Sequence, residues 1–388
     1  LREIFLQQTI DELREYSNRI GLKEIISSHD SPLLLLDLAR VKVQYQALQK
    51  ALPMVDHHFA IKALRHPAVI TTIEECDGFF DVMTKGDTDL VAAQNISLKR
   101  CIHTNPIKQP REIEYAYKMG ITTFVVDNPA EVDKFVAYAN DIQLLIRLSF
   151  PNPQAKSDLS FKFGVPPEEA ENLVAYTLKK GLKVAGFAMH VGSQIHAAQA
   201  YSTALIKVTE LIAKVEHDHA IKLEMLDIGG GFPVNYLEPS PSLQEIADVI
   251  TPLIEPLTKR MRIISEPGRF IVAPAMTLIT QIVGKSVRHG TQWYYINDGL
   301  YGSYSNIIYE QVHAPIFALK EIEGTTSLSL RPCAVAGPTC DSVDVVSIDC
   351  PLPQLEIGDY LVSPMMGAYT AASSTDFNGI PRTKIIVI

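Results

Sequence analysis

Residues 1–30 set apolar positions, Ile4, Leu13 and Ile20 among them, between charged ones, and this pattern predicts helix. From Ser31 the pattern changes. Short apolar runs alternate with amphipathic stretches for more than 200 residues. The runs predict strands at Leu33–Leu38, His57–Ile61, Gly78–Val82, Thr122–Val126, Gln143–Ser149, Val184–His190, Met225–Ile228 and Arg262–Ser265. Between them, Val41–Leu52, Ala130–Ala139, Pro167–Lys179 and Ala200–Val215 predict helices. Strands that are apolar throughout, joined by helical crossovers, belong to a parallel sheet buried on both faces. About eight such units fit a closed (β/α)8 barrel better than an open sheet. After residue 275 the crossover helices end. Met276–Val283, Trp293–Asn297, Ser327–Ala334, Val343–Ile348 and Asp359–Val362 predict a mainly antiparallel β domain. The expected division is a barrel over residues 31–275 and a β domain over 276–388, with residues 1–30 packed on the β domain.

Composition changes this picture little. A hydrophobic share of 47% and a charged share of 20% are those of an ordinary soluble globular enzyme. No apolar run approaches the roughly 20 residues of a membrane span, and no signal-peptide pattern opens the chain. The net charge of −9 argues against nucleic acid, whose phosphates call for basic clusters, and suits cationic small molecules. The five cysteines are scattered without a CxxC pair, so neither zinc nor a disulfide framework is expected, and the cytoplasm is the expected compartment. A chain opening on Leu1 is expected to lack a short natural N-terminus.

The chemistry concentrates at the predicted strand ends, where a barrel carries its catalytic groups. Lys62 ends the second predicted strand, Asp81 the third, Arg147 the fifth, His190 the sixth, Asp227 the seventh and Glu266 the eighth. A lysine at an apolar strand end is costly unless it is paired or used, although its stem can also carry the amine out to water. Gly229-Gly230-Gly231 after a strand lets backbone amides approach a phosphate, and would equally serve a tight turn. The spacing is neither GxGxxG nor a P-loop, so a nucleotide is a poor reading. Gly268-Arg269 adds a second element of an anion site. Glu266 is either a hydrogen-bond partner for a ring nitrogen or, as the bland reading, a helix N-cap or a structural pair for Arg269. His190 is either a flat ring for stacking or a satisfied core histidine. Cys340-Asp341 offers a thiol and a carboxylate in a Gly-Pro loop, where each has an ordinary structural use as well. Taken together, amine, flat ring, phosphate cradle, carboxylate and thiol are the parts of a pyridoxal-phosphate site.

Five segments occur in order: Phe59-Ala60-Ile61-Lys62, Met189-His190-Val191-Gly192-Ser193, Asp227-Ile228-Gly229-Gly230-Gly231-Phe232-Pro233, Ser265-Glu266-Pro267-Gly268-Arg269 and Gly337-Pro338-Thr339-Cys340-Asp341. With Asn297-Asp298-Gly299-Leu300-Tyr301-Gly302-Ser303, Met366-Gly367-Ala368-Tyr369-Thr370 and Phe377-Asn378-Gly379, they resemble the ornithine decarboxylase family of fold type III pyridoxal-phosphate enzymes, over nearly the whole chain. The resemblance implies an alanine-racemase-like barrel with a β domain, and a head-to-tail homodimer with active sites at the interface. It implies that Lys62 attaches the cofactor, His190 stacks on its ring and Glu266 holds its ring nitrogen. Ser193, Gly230, Gly231, Gly268, Arg269 and Tyr369 would bind the phosphate, and Asp81 and Arg147 would line the cofactor near Lys62. Cys340 and Asp341 would come from the partner protomer, and Cys340 would return a proton to Cα after decarboxylation. Asp341 would hold the distal ammonium of a cationic amino acid, with Phe377, Tyr309 and Glu310 completing the substrate pocket.

The expected activity is decarboxylation of L-ornithine and L-lysine to putrescine and cadaverine, the diamine-forming step of polyamine biosynthesis. The pair Tyr309-Glu310 stands where the family has Tyr-Asp, which supplies a second carboxylate to the substrate's distal ammonium; the extra methylene moves that carboxylate, so Ile307 to Pro315 is where specificity is expected to be set. Arginine is the next substrate candidate. Diaminopimelate and carboxynorspermidine are further rivals; diaminopimelate enzymes carry Cys-Glu-Ser where this chain has Cys340-Asp341-Ser342. A racemase-type site would put an arginine at the ring nitrogen, against Glu266. A non-catalytic regulatory homologue would lack the cofactor residues that this chain keeps. The chain stops soon after Phe377-Asn378-Gly379, which favours a bacterial-type enzyme.

Overall fold

The computed structural model describes residues 2–152, 158–324 and 329–388. The first strand, β1 (Leu33–Leu36), does not enter a barrel. It pairs antiparallel with Met276–Ile279 and parallel with Lys384–Val387. All four leucines are buried, each contributing about 2 kcal/mol of transfer from water. An all-apolar run marks a strand buried on both faces without saying in which sheet, and this corrects the expected assignment.

Eight strands close a parallel barrel: β2 (Val55–Ala60), β3 (Phe79–Val82), β4 (Cys101–His103), β5 (Thr123–Val126), β6 (Gln143–Arg147), β7 (Lys183–Ala188), β8 (Met225–Asp227) and β9 (Arg262–Ser265). Of these eight, β4 is the strand that the sequence pattern does not show. It has three residues and only Ile102 is aliphatic, too short for an alternation to register. Lys62 and Asp81 therefore belong to the first and second barrel strands, and the later ranks stand. Ile102, Val125, Leu145, Ala185, Ala188, Met225 and Ile264 form a buried cluster drawn from β4 to β9. Helices alternate with the strands. Leu243–Thr258 begins with a capping box between Ser242 and Glu245.

The chain divides into two compact units. The barrel unit comprises Lys42–Pro233 and Ser240–Ile271, and the other comprises Leu1–Val41, Val234–Pro239 and Val272–Ile388. The break thus falls after Val41, where the sequence pattern set it at residue 30, because β1 is stitched into the second unit's sheet. That sheet adds β10 (Met276–Arg288), β11 (Thr291–Ile296), β12 (Phe317–Ala318), β13 (Arg331–Ala336), β14 (Val345–Leu352), β15 (Tyr360–Ser363) and β16 (Lys384–Val387) to β1. Its order is β12-β15-β10-β11-β13-β14, antiparallel except at β11–β13 and β1–β16. The expected strand Ser327–Ala334 begins on residues outside the described ones. The helices Arg2–Ile20 and Leu22–Ser28 place Leu13, Tyr16 and Leu22 in a buried cluster with Leu33, Leu35, Ile279, Phe317 and Val362. Among the described residues, no helix is long and apolar enough to cross a membrane.

Candidate active site

The barrel brings the charged candidates to the C-terminal ends of its strands. Lys62 sits in the 3-10 turn Ile61–Ala63 directly after β2, and the Ala60 N–H donates to the Pro267 carbonyl at 3.0 Å, tying that strand end to the segment after β9. Asp81 lies inside β3, opposite Ala60 of β2 and Ile102 of β4. Arg147 ends β6, Asp227 ends β8, and Glu266 follows β9 with its N–H donated to the Gly229 carbonyl at 2.9 Å.

The three carboxyls act on one another. Burial, then the Glu266 charge, pushes both Asp81 and Asp227 far above the usual carboxylate range, while Lys62 pulls Asp81 back down. Asp81 Oδ2, Asp227 Oδ2, Glu266 Oε2 and Arg147 Nε are buried and without a hydrogen-bond partner, a costly arrangement for groups that have no further use. His190 follows β7 and accepts the Gly192 N–H at Nδ1, 3.1 Å. Burial and the nearby Arg147 and Lys62 charges hold its imidazole well below its ordinary value, so the ring is neutral, with part of its surface open.

The glycine segment is a cradle. Gly229 and Gly231 take positive φ of 72° and 102°. A Cβ on Gly230 would come 2.5 Å from the Glu266 carbonyl oxygen and 3.2 Å from His190 Nε2. On Gly231 it would meet the Gly192 carbonyl oxygen at 2.4 Å. The Tyr201 hydroxyl holds the Gly230 carbonyl at 2.7 Å. Arg269, at the head of Arg269–Val272 and next to Gly268, donates to Ser193 Oγ at 3.0 Å, and both belong to the barrel unit.

The β unit gathers a second set. Asp341 accepts hydrogen bonds from the Tyr301 hydroxyl and, at 3.2 Å, from the Val343 N–H. The Tyr301 ring stacks on Phe377 at 4.4 Å, and the exposed Cys340 donates its N–H to Asn378 Oδ1 at 3.1 Å. Tyr309 and Glu310 close the short helix Asn306–Glu310. The hydrogen bond to Asp341 raises the Tyr301 phenol, with burial and then Tyr309 adding to it. Tyr369 holds a left-handed backbone, φ 56°, in the turn after β15.

Residues 38–273 match the model of the pyridoxal-dependent decarboxylase pyridoxal-binding domain. The chain belongs to the pyridoxal-dependent decarboxylase family. A lysine/ornithine decarboxylase of Selenomonas ruminantium is 31% identical over 94% of this chain and 92% of its own length. Antizyme inhibitor 2 of Xenopus laevis is also 31% identical, over 94% of this chain and 82% of its own. The solved structure of lysine/ornithine decarboxylase from Vibrio vulnificus, complexed with cadaverine, is 37% identical over 96% of this chain and 99% of that one, with a TM-score of 0.89.

The barrel end fits the pyridoxal phosphate of this decarboxylase family. Lys62 offers the amine, Glu266 Oε2 a buried acceptor lacking a partner, and His190 an open neutral ring. The Gly229–Gly231 cradle admits no side chain at Gly230, and Arg269 with Ser193 adds polar donors. Sequence reasoning passed over Thr104, whose hydroxyl donates to Asp81 Oδ1 at 2.5 Å, because it follows the unrecognised strand β4. Tyr301 lies in the segment Asn297–Ser303, and nothing local in the sequence marks it for a role. A polar hydroxyl after an apolar strand was the signal available for Thr104. Among the described residues, no His, Cys, Asp and Glu cluster has metal-binding geometry.

Proposed function

We propose that this protein decarboxylates L-ornithine and L-lysine to putrescine and cadaverine. The observation that carries the reading is the convergence of Lys62 with three buried carboxyls and the neutral His190 at one barrel end. Bound pyridoxal phosphate supplies an electron sink for the bond to the departing carboxylate. The protein's part is orientation and proton control. Lys62 anchors, His190 stacks, and Glu266 keeps the ring nitrogen charged. Ser193, Gly230, Gly231, Gly268, Arg269 and Tyr369 hold the phosphate, with Asp81 and Arg147 beside the lysine. The Cys340 thiol returns a proton to Cα.

Asp341, which Tyr301 and the Val343 N–H hold below the usual carboxylate range, is suited to a distal ammonium. A cationic amino acid satisfies that charge, and an apolar one would leave it unpaired. Phe377, Tyr309 and Glu310 bound the pocket. One methylene is worth only about 1–3 kcal/mol of discrimination, so a site of this kind accepts both diamino acids. The reading includes a homodimer in which Cys340 and Asp341 of one protomer complete the barrel site of the other. The reading also includes a cytoplasmic location, which five cysteines without a disulfide suit.

The test is carbon dioxide release from L-ornithine and L-lysine side by side, with added pyridoxal phosphate. Comparable release from both supports the dual reading. Release from only one reduces the other to a competitor. Release from neither moves the assay to arginine, then diaminopimelate and carboxynorspermidine. The likeness to an antizyme inhibitor gives the non-catalytic alternative. A protein that stays colourless with added pyridoxal phosphate would favour it.

A further inference from the structure

Thr104 stands immediately after β4, buried, with its hydroxyl donated to Asp81 Oδ1 at 2.5 Å. Its place is fixed from behind. Lys108 Nζ donates to the Asn105 and Pro106 carbonyls, the next two residues, at 2.7 and 3.1 Å. The same amine reaches the Val125 carbonyl on β5 at 2.7 Å, so the turn carrying Thr104 is bolted to the neighbouring strand. Asp81 itself is fully buried, and its other oxygen, Oδ2, has no hydrogen-bond partner.

The charged and titratable groups acting on Asp81 are Lys62 after β2, Asp87 on the helix Lys85–Ala92, Cys101 on β4, Asp227 on β8 and Glu266 after β9. Lys62 alone among them favours a charge on Asp81. Asp87 and Glu266 oppose it, as does burial. Full ionisation of Asp81, Asp227 and Glu266 together is opposed by their mutual repulsion, so the donors each carboxyl receives decide where protons reside. Asp227 receives the Gly229 N–H at 2.8 Å. Asp81 receives Thr104.

Resting on Lys62 as the lysine that holds the cofactor, we propose that Thr104 is a positioning residue: its hydroxyl favours the charged form of Asp81 against burial and Glu266, and so favours a negative charge beside the Lys62 nitrogen. The hydroxyl donates to the charged form of Asp81. A valine in its place keeps the shape and offers no donor. Asp81 then takes up a proton more readily, and the Lys62 nitrogen loses the neighbour that favours its own charge.

The experiment is a pH titration of the visible absorbance of the pyridoxal-phosphate-loaded protein, in wild type, Thr104→Val, Thr104→Ala and Thr104→Ser. Far-ultraviolet circular dichroism checks each fold. In Thr104→Val the pH at which the band bleaches falls by about one unit, a tenfold change in the proton equilibrium at the Lys62 nitrogen. Thr104→Ser, which keeps the donor, titrates as wild type. Thr104→Ala gives the same answer as valine if the branched side chain impedes folding. An unchanged midpoint in a folded, loaded Val or Ala variant overturns the proposal. So does a serine variant that shifts as far as valine. Folded Val and Ala variants that hold no cofactor count against it too, because they assign Thr104 to retention and not to charge. Lys62→Ala separates the two readings: if it keeps the wild-type band, the assignment of Lys62 has failed and not the role of Thr104.

Discussion

The Tyr301 hydroxyl donates a hydrogen bond to Asp341 Oδ2, and the same ring lies against Phe377 at 4.4 Å with 24° between planes. Tyr301 thus orients a carboxylate and an aromatic wall at once. Tyr301→Phe keeps the stack and deletes the donor. It is expected to raise KM for both diamino acids about three- to tenfold, with kcat little changed, because an oriented charge acts in substrate binding. The Asp341 carboxyl, held low by that donor, moves up toward its ordinary value. The acid limb of kcat/KM therefore moves to higher pH. Steady-state kinetics across pH 4–8 would check both, and an unmoved KM would remove Tyr301 from the pocket.

Gly230 has no room for a methyl group. Its Cβ would press on the Glu266 carbonyl oxygen at 2.5 Å, a backbone atom that cannot swing away. Gly230→Ala is expected to displace the segment after β9 and weaken pyridoxal-phosphate binding by tenfold or more, about 1.4 kcal/mol at least. Equilibrium dialysis against the free cofactor measures it. Wild-type affinity in the alanine variant would show that the segment yields at no cost.

The site was legible where chemistry and pattern coincide. Lys62, His190 and Glu266 all follow apolar runs, and the barrel rule puts such residues on one rim. What escaped had physical reasons. Leu33–Leu36 is as apolar as any barrel strand, and only its pairing with β10 and β16 assigns it to the other sheet. Cys101–His103 is too short to show a period. Thr104 went with it, since a hydroxyl gains meaning only from the carboxylate that register sets beside it. The contact between Tyr301 and Asp341 joins residues 40 apart in sequence, and no local pattern encodes it.

Glu310 ends the helix Asn306–Glu310, and Gln311 after it takes a left-handed backbone, φ 52°, which fixes where the helix stops. The Glu310 carboxyl therefore projects from a defined point. Shortening it by one methylene in Glu310→Asp is expected to change the lysine-to-ornithine ratio of kcat/KM by about tenfold or more. Competition between the two substrates in one reaction measures the ratio directly. An unchanged ratio would place the determinant outside the segment from Ile307 to Pro315.

His103 gives a prediction about stability. It ends β4, buried, with both ring nitrogens lacking a hydrogen-bond partner and its ring 5.7 Å from that of Phe124. Burial, helped by the Lys108 charge, lowers its imidazole to about 3. In the unfolded chain the same group titrates near 6.5. The stability attached to the neutral ring is therefore complete above pH 6.5 and is lost as pH falls toward 3. Replacing it with phenylalanine removes one proton uptake on unfolding and two unsatisfied polar atoms. His103→Phe is expected to match or exceed wild-type stability at pH 7. Between pH 6 and 4 its loss should be shallower by about 1.4 kcal/mol per pH unit. His57, His58 and His190 are held low as well, so acid sensitivity persists with one proton fewer in its slope. Urea unfolding at a series of pH values measures that slope, and parallel curves for the two proteins would mean that His103 is already charged in the fold.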